Sequence, residues 1–127
     1  MEKESFLEKA VRAVEDMKGI NISIINVENI VTHMDYVFIC SGTSDRHVIS
    51  IAENLKSKVK RSAKPFSIEG MDDGNWVLLD YGWIIFHVFR EEVREYYRLE
   101  ELWRNGKFIE ASHYLKDVLP KKVLSSA

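Results

Sequence analysis

The sequence predicts an α/β domain built on a mixed five-stranded sheet flanked by helices. Three observations carry that prediction. Helix-period and strand-like segments alternate through the first half of the chain. Two strand-like runs, Trp76 to Asp80 and Trp83 to Phe89, then meet at Tyr81-Gly82 as a hairpin. Finally, 127 residues with 46% hydrophobic and 30% charged side chains suit one soluble, single-core domain.

The elements follow in order. Leu7, Ala10, Val11, Val14 and Met17 recur at three- and four-residue steps with Glu and Lys between them, which predicts an amphipathic helix stopped at Gly19. Ile20 to Val27 is rich in β-branched residues and reads as a strand, and Asn29 to Met34 as a connection. Asp35-Tyr36-Val37-Phe38-Ile39-Cys40 is nearly continuously apolar, as in a strand covered on both faces. Ser44 is placed to cap a second helix, with Asp45 in its first turn and Val48, Ile51, Ala52, Leu55 and Val59 facing inward. Phe66 to Glu69 forms a short strand, and Gly70 to Gly74 a turn rich in Asp and Gly. After the hairpin, Glu91 to Trp103 reads as a third helix, with Val93, Tyr96, Tyr97, Leu99 and Leu102 as inner positions. Phe108 to Val118 is expected to add a short helix. The domain is expected to span residues 1–118, with 119–127 as a flexible tail.

Composition excludes several classes. The lone Cys40 leaves no intramolecular disulfide and reads as a small buried hydrophobe. The start, Met1-Glu2-Lys3-Glu4, is not that of a secretory leader, and the apolar runs are far shorter than the ~20 residues of a membrane span. A cytoplasmic protein without a membrane is expected. With 18 basic and 20 acidic side chains the net charge is −2, whereas binding through nucleic-acid phosphates favours a positive excess. The balance points to a protein partner with a basic surface.

Catalytic patterns are incomplete. The Ser41-Gly42-Thr43-Ser44 turn between strand and helix looks like the entry to a nucleotidyltransferase site, which needs two metal ions on carboxylates two residues apart. Here Ser67 stands where the first carboxylate belongs, and only Glu69 and, on a later strand, Asp80 remain. A residual nucleotidyltransferase using Glu69 and Asp80 is thus the alternative reading. No Gly-x-Ser-x-Gly elbow is present, and His33, His47, His87 and His113 have no metal-ligand spacing. No cofactor or metal is expected. His87 reads as a hydrogen-bonded structural residue and His47 as a local cap. The basic run Lys56 to Lys64 reads first as a solvated helix end that complements the helix dipole. Its sharper reading is a contact with RNA, though without interleaved aromatics for stacking.

The excess of aromatics around the hairpin and third helix is the positive signal. Trp76, Leu78 and Asp80 share one face of their strand, and Val77, Leu79 and Tyr81 the other. One face packs a core, and Trp and Tyr left on the opposite side are typical anchors of a protein interface.

Three stretches resemble one family. Asp35 to Ser44 with Arg46-His47 is the first. The second is Glu69-Gly70, Gly74-x-Trp76-Val77-Leu78-Leu79-Asp80-Tyr81-Gly82 and His87-Val88-Phe89. The third is Arg94-x-x-Tyr97-x-Leu99-Glu100-x-Leu102-Trp103. In this order and spacing, from about Ile22 to Trp103, they are similar to the ribosomal silencing factors, or Iojap-like proteins. The resemblance implies a nucleotidyltransferase-like fold without catalytic carboxylates. It also implies binding to the large ribosomal subunit through ribosomal protein L14, which blocks association with the small subunit and represses translation when nutrients are scarce. Carried over by position, the partner-binding residues are Trp76, Leu78, Asp80, Tyr81 and Tyr97, with ribosomal RNA near Lys56 to Lys64. One departure stands out: Trp83 occupies a place that is usually acidic in the family. It offers either a larger hydrophobic contact or a packing surface for a second copy in a homodimer.

Overall fold

The computed structural model describes residues 2–115. Its elements are α1 (Lys3–Asp16), β1 (Ile20–Asn26), β2 (Tyr36–Gly42), α2 (Asp45–Lys58), β3 (Ser67–Glu69), β4 (Trp76–Asp80), β5 (Ile84–Arg90), α3 (Glu91–Tyr97), α4 (Leu99–Leu102) and β6 (Lys107–Ile109), followed by a 3-10 turn over Ala111–Leu115. The strands form one sheet in the order β3-β4-β5-β2-β1-β6. Only β2 and β5 run parallel, as expected of a pair whose connection passes through α2 and the β3–β4 hairpin. All seven residues of β2 are buried, in line with its apolar run.

The sheet has six strands, not five. The sixth, β6, pairs antiparallel with β1, where Phe108 stands opposite Ile25. Three residues are too few to display a period, and the edge place comes from tertiary pairing alone. The helix expected over Phe108 to Val118 is replaced by β6 and the 3-10 turn as far as Leu115; its remainder and the expected tail, 119–127, lie outside the described residues.

One face of the sheet is covered by α1 and α2. Phe6, Leu7, Val11 and Val14 of α1 and Val48, Ile51 and Leu55 of α2 pack with a row of sheet residues that includes Ile24, Phe38, Phe86 and Leu79. Register explains the row: Ile24 faces Phe38, Phe38 faces Phe86 and Phe86 faces Leu79. Cys40 lies in this core, and burial pushes its thiol up to about 12. As expected, Ser44 caps α2, its Oγ accepting the His47 backbone N–H at 3.1 Å. The His47 ring accepts from the Thr43 N–H at 2.9 Å and its other nitrogen donates to the Met17 carbonyl at 2.7 Å, so it ties the start of α2 to the end of α1.

Two backbone conformations position the rest. Gly70 sits at φ +88, where a Cβ would lie 1.9 Å from the Trp76 carbonyl oxygen, so this turn takes glycine only. Arg98 adopts the left-handed conformation (φ 49) and breaks the expected third helix into α3 and α4. The break resets the helical phase for the residues after it, and within α3 the inward place goes to Arg94. Val93 and Leu99 pack against the sheet, while Tyr96, Tyr97 and Leu102 point outward.

Candidate protein-docking face

The second face of the sheet is only half covered. Val93 of α3, Leu99 of α4 and Trp103 pack over Ile25, Val27, Val37, Ile39 and Phe89, which lie towards the β1 side. Arg94 pins these short helices down. It is buried, and its Nη1 donates to Ser41 Oγ at 2.8 Å and to the Asn21 carbonyl at 2.5 Å. Its Nη2 donates to Ser23 Oγ at 3.1 Å and to Glu100 Oε2 at 2.5 Å. Burial works against ionisation of Glu100, but the Arg94 guanidinium outweighs it and holds the carboxyl below its usual range. One guanidinium thus joins α3, α4, β1 and β2.

Beyond that cover, the face is open along β4 and β5. Trp76, Leu78 and Asp80 lie opposite Phe89, His87 and Ile85. Trp76, Leu78, Asp80 and Ile85 are half-buried. The indole of Trp76 stacks on Phe89 at 4.7 Å between centroids and packs on Tyr97 at 4.9 Å. Its Nε1–H donates to His87 Nδ1 at 3.1 Å. Burial lowers the His87 imidazole from 6.5 to about 4, so it is neutral at physiological pH and able to accept. This matches the hydrogen-bonded structural role expected for it.

Tyr97 is 54% and Tyr96 80% exposed, their rings edge-on at 5.1 Å. A cleft of about 430 Å³ runs between Trp76 and this pair, with Asp73 and Glu92 on its rim. The face therefore carries aromatic and aliphatic side chains bordered by carboxylates. The inner position expected of Tyr96 is taken instead by Arg94, whose burial turns Tyr96 to the outside of α3.

Four of the five expected site residues thus share one side of the molecule: Trp76, Leu78, Asp80 and Tyr97. Tyr81 does not. It is 4% exposed and lies on the α1 side, edge-on to Phe6 at 5.7 Å and Phe86 at 5.5 Å. The reason is strand alternation, which carries Tyr81 to the face of Val77 and Leu79. Its hydroxyl has no partner among the described residues, and burial pushes it up to about 12. Asp80 also has a local task, since its Oδ1 accepts the Gly82 N–H at 2.8 Å and closes the β4–β5 turn. Trp83 is half-buried at the edge of the α1–α2 core: it packs edge-on to Phe6 at 5.0 Å, beside Tyr36, with the Lys3 ammonium above its ring.

The alternative chemistry finds no support. Glu69 stands opposite Leu78 and Asp80 opposite Ser67, so the two carboxylates are only diagonal neighbours across β3 and β4. Asp73 accepts the Asn75 N–H of its own turn through Oδ1. Among the described residues no group of three His, Cys, Asp or Glu side chains is arranged to hold a metal ion. The cations from Lys56 to Lys64 are exposed around the end of α2, and Phe66, 82% exposed, follows them. No helix among the described residues is long and apolar enough to cross a membrane.

The chain matches the family described as "Ribosomal silencing factor during starvation" over residues 1–125. It belongs to the ribosomal silencing factor family. It is 36% identical over 104 residues to Ribosomal silencing factor RsfS of Bacillus subtilis, covering 81% of this chain and 88% of that one. It is 37% identical over 92 residues to mouse "Mitochondrial assembly of ribosomal large subunit protein 1", covering 69% of this chain and 40% of that protein. A crystal structure of a protein from Chromobacterium violaceum is 32% identical, with a TM-score of 0.78 over 81% of this chain and 87% of that one. The mixed sheet with its helices is thus the fold of solved relatives. The curated relatives carry the names of ribosome-directed factors, not those of enzymes.

Proposed function

We propose that this chain silences translation by occupying the large ribosomal subunit at ribosomal protein L14, through the open face bearing Trp76, Leu78, Asp80 and Tyr97. One observation carries the reading: α3 and α4 stop short and leave an aromatic patch with an acidic rim. Desolvating Trp76, Leu78 and Tyr97 supplies affinity, and Asp80, Asp73 and Glu92 select a basic partner. A domain of 14.8 kDa seated where the subunits meet blocks their association by volume, without chemistry. Shortage of nutrients is the condition under which the block operates, as the family's description suggests. The name of the mouse relative supports the large subunit as the target. Within this reading the fold descends from nucleotidyltransferases, with Ser67 in place of the first metal-binding carboxylate. The run Lys56 to Lys64 supplies an auxiliary, salt-dependent contact with ribosomal RNA.

Sedimentation in a sucrose gradient tests the proposal. The protein is expected to travel with large subunits, and to shift joined ribosomes towards free subunits when both are mixed. Protein remaining at the top of the gradient in the presence of saturating large subunits would refute it.

A further inference from the structure

His87 sits beneath the centre of the open face, and the family reading gives it no role. It is 8% exposed and lies opposite Leu78 on β4 and Ile39 on β2. Its ring is nearly parallel to that of Phe89, 13° between planes, and Phe89 in turn stacks under the Trp76 indole. Packing restricts the indole from below through Phe89 and from the side through Tyr97. Neither contact defines which edge of the indole faces inward, because a half-turn about χ2 keeps the ring plane and exchanges its two edges. The hydrogen bond from Trp76 Nε1 to His87 Nδ1 does. An indole N–H can only donate, so Nδ1 is the bare nitrogen and the ring proton sits on Nε2.

We propose that His87 is a positioning residue of the docking face: its Nδ1 fixes the orientation of the Trp76 indole and so sets the shape that the partner meets. The inference rests on the binding reading above for its consequence, and on the hydrogen bond alone for its geometry. An anchor already held in its bound orientation loses less freedom on association, so releasing it weakens binding without removing any contact atom.

Two substitutions separate positioning from packing. His87→Leu keeps apolar volume and removes the acceptor. His87→Asn places an amide oxygen close to where Nδ1 stood and restores it. Affinity for isolated ribosomal protein L14 is expected to fall about fivefold to tenfold in His87→Leu, the size of one net hydrogen bond, and to recover largely in His87→Asn. Exchange of the Trp76 indole proton, identified in nuclear magnetic resonance spectra by its loss in Trp76→Phe, is expected to speed up in His87→Leu and to stay slow in His87→Asn. Unchanged indole exchange in His87→Leu overturns the proposal, and so does an Asn variant that binds no better than the Leu variant. If the unsubstituted chain fails to bind L14, the partner assignment falls, and the exchange rates still decide whether His87 holds the indole.

Discussion

The two faces of the sheet are built from neighbouring residues of the same strands, yet they obey different rules. The α1–α2 face is dry and continuous, with Leu79, Phe86, Phe38 and Ile24 in one row beneath both helices. The α3–α4 face is covered by two short helices that the Arg94 guanidinium fastens down, and it stops short of β4. Apolar burial stabilises the first face. A polar clamp on the second holds the cover back and leaves Trp76, Leu78 and Tyr97 available. Alternation along β4 sends Val77 and Leu79 into the core and Trp76, Leu78 and Asp80 to the open face.

Removing the clamp should blur this contrast most. Arg94→Ala leaves the Glu100 carboxylate and the Asn21 carbonyl without their main donor. It is expected to cost about 3 kcal/mol in denaturant unfolding, and amide exchange in residues 93–103 should rise well before that in α1.

Acid should act on the same face. His87 titrates near 4 folded against 6.5 unfolded, so below 6.5 the unfolded chain takes up the proton first. Its contribution is complete above pH 6.5 and is lost as pH falls towards 4, on the order of 3 kcal/mol. The lowered carboxyl of Glu100 adds its own loss in the carboxylate range. His87→Leu should flatten the upper part of the stability profile between pH 6.5 and 4 and leave the lower part in place.

The smallest expected effect lies on the dry face. Tyr81→Phe deletes a buried hydroxyl that has no partner among the described residues, and it should raise stability by about 1 kcal/mol in the same denaturant assay. Loss of large-subunit binding in this variant would mean that Tyr81 reaches the partner after all.

What was legible in the sequence divides along similar lines. The period of α1, the unbroken run of β2, the Ser44 cap and the hairpin are local signals, and the structure keeps them. The place of β6 comes from pairing with a strand some eighty residues earlier, and no local pattern reports it. The left-handed Arg98 was hidden as well, because an arginine carries no preference for that conformation. It ended α3 early, while Tyr96, ahead of the break, faces outward because α3 turns the charged Arg94 inward. In the site, alternation alone separated Tyr81 from Trp76, Leu78 and Asp80, whereas the union of that strand with Tyr97 and the His87 hydrogen bond needed three dimensions.

Leu78 and Leu79 offer the most direct test of this division, since they are adjacent and chemically identical. Each is changed to Ala, and each variant is measured for large-subunit binding and for thermal unfolding. Leu78→Ala is expected to weaken binding tenfold or more while shifting stability by only about 1 kcal/mol. Leu79→Ala should cost about 2–5 kcal/mol of stability and, where still folded, bind normally. A Leu78→Ala variant that binds large subunits as tightly as the unsubstituted chain would contradict the account.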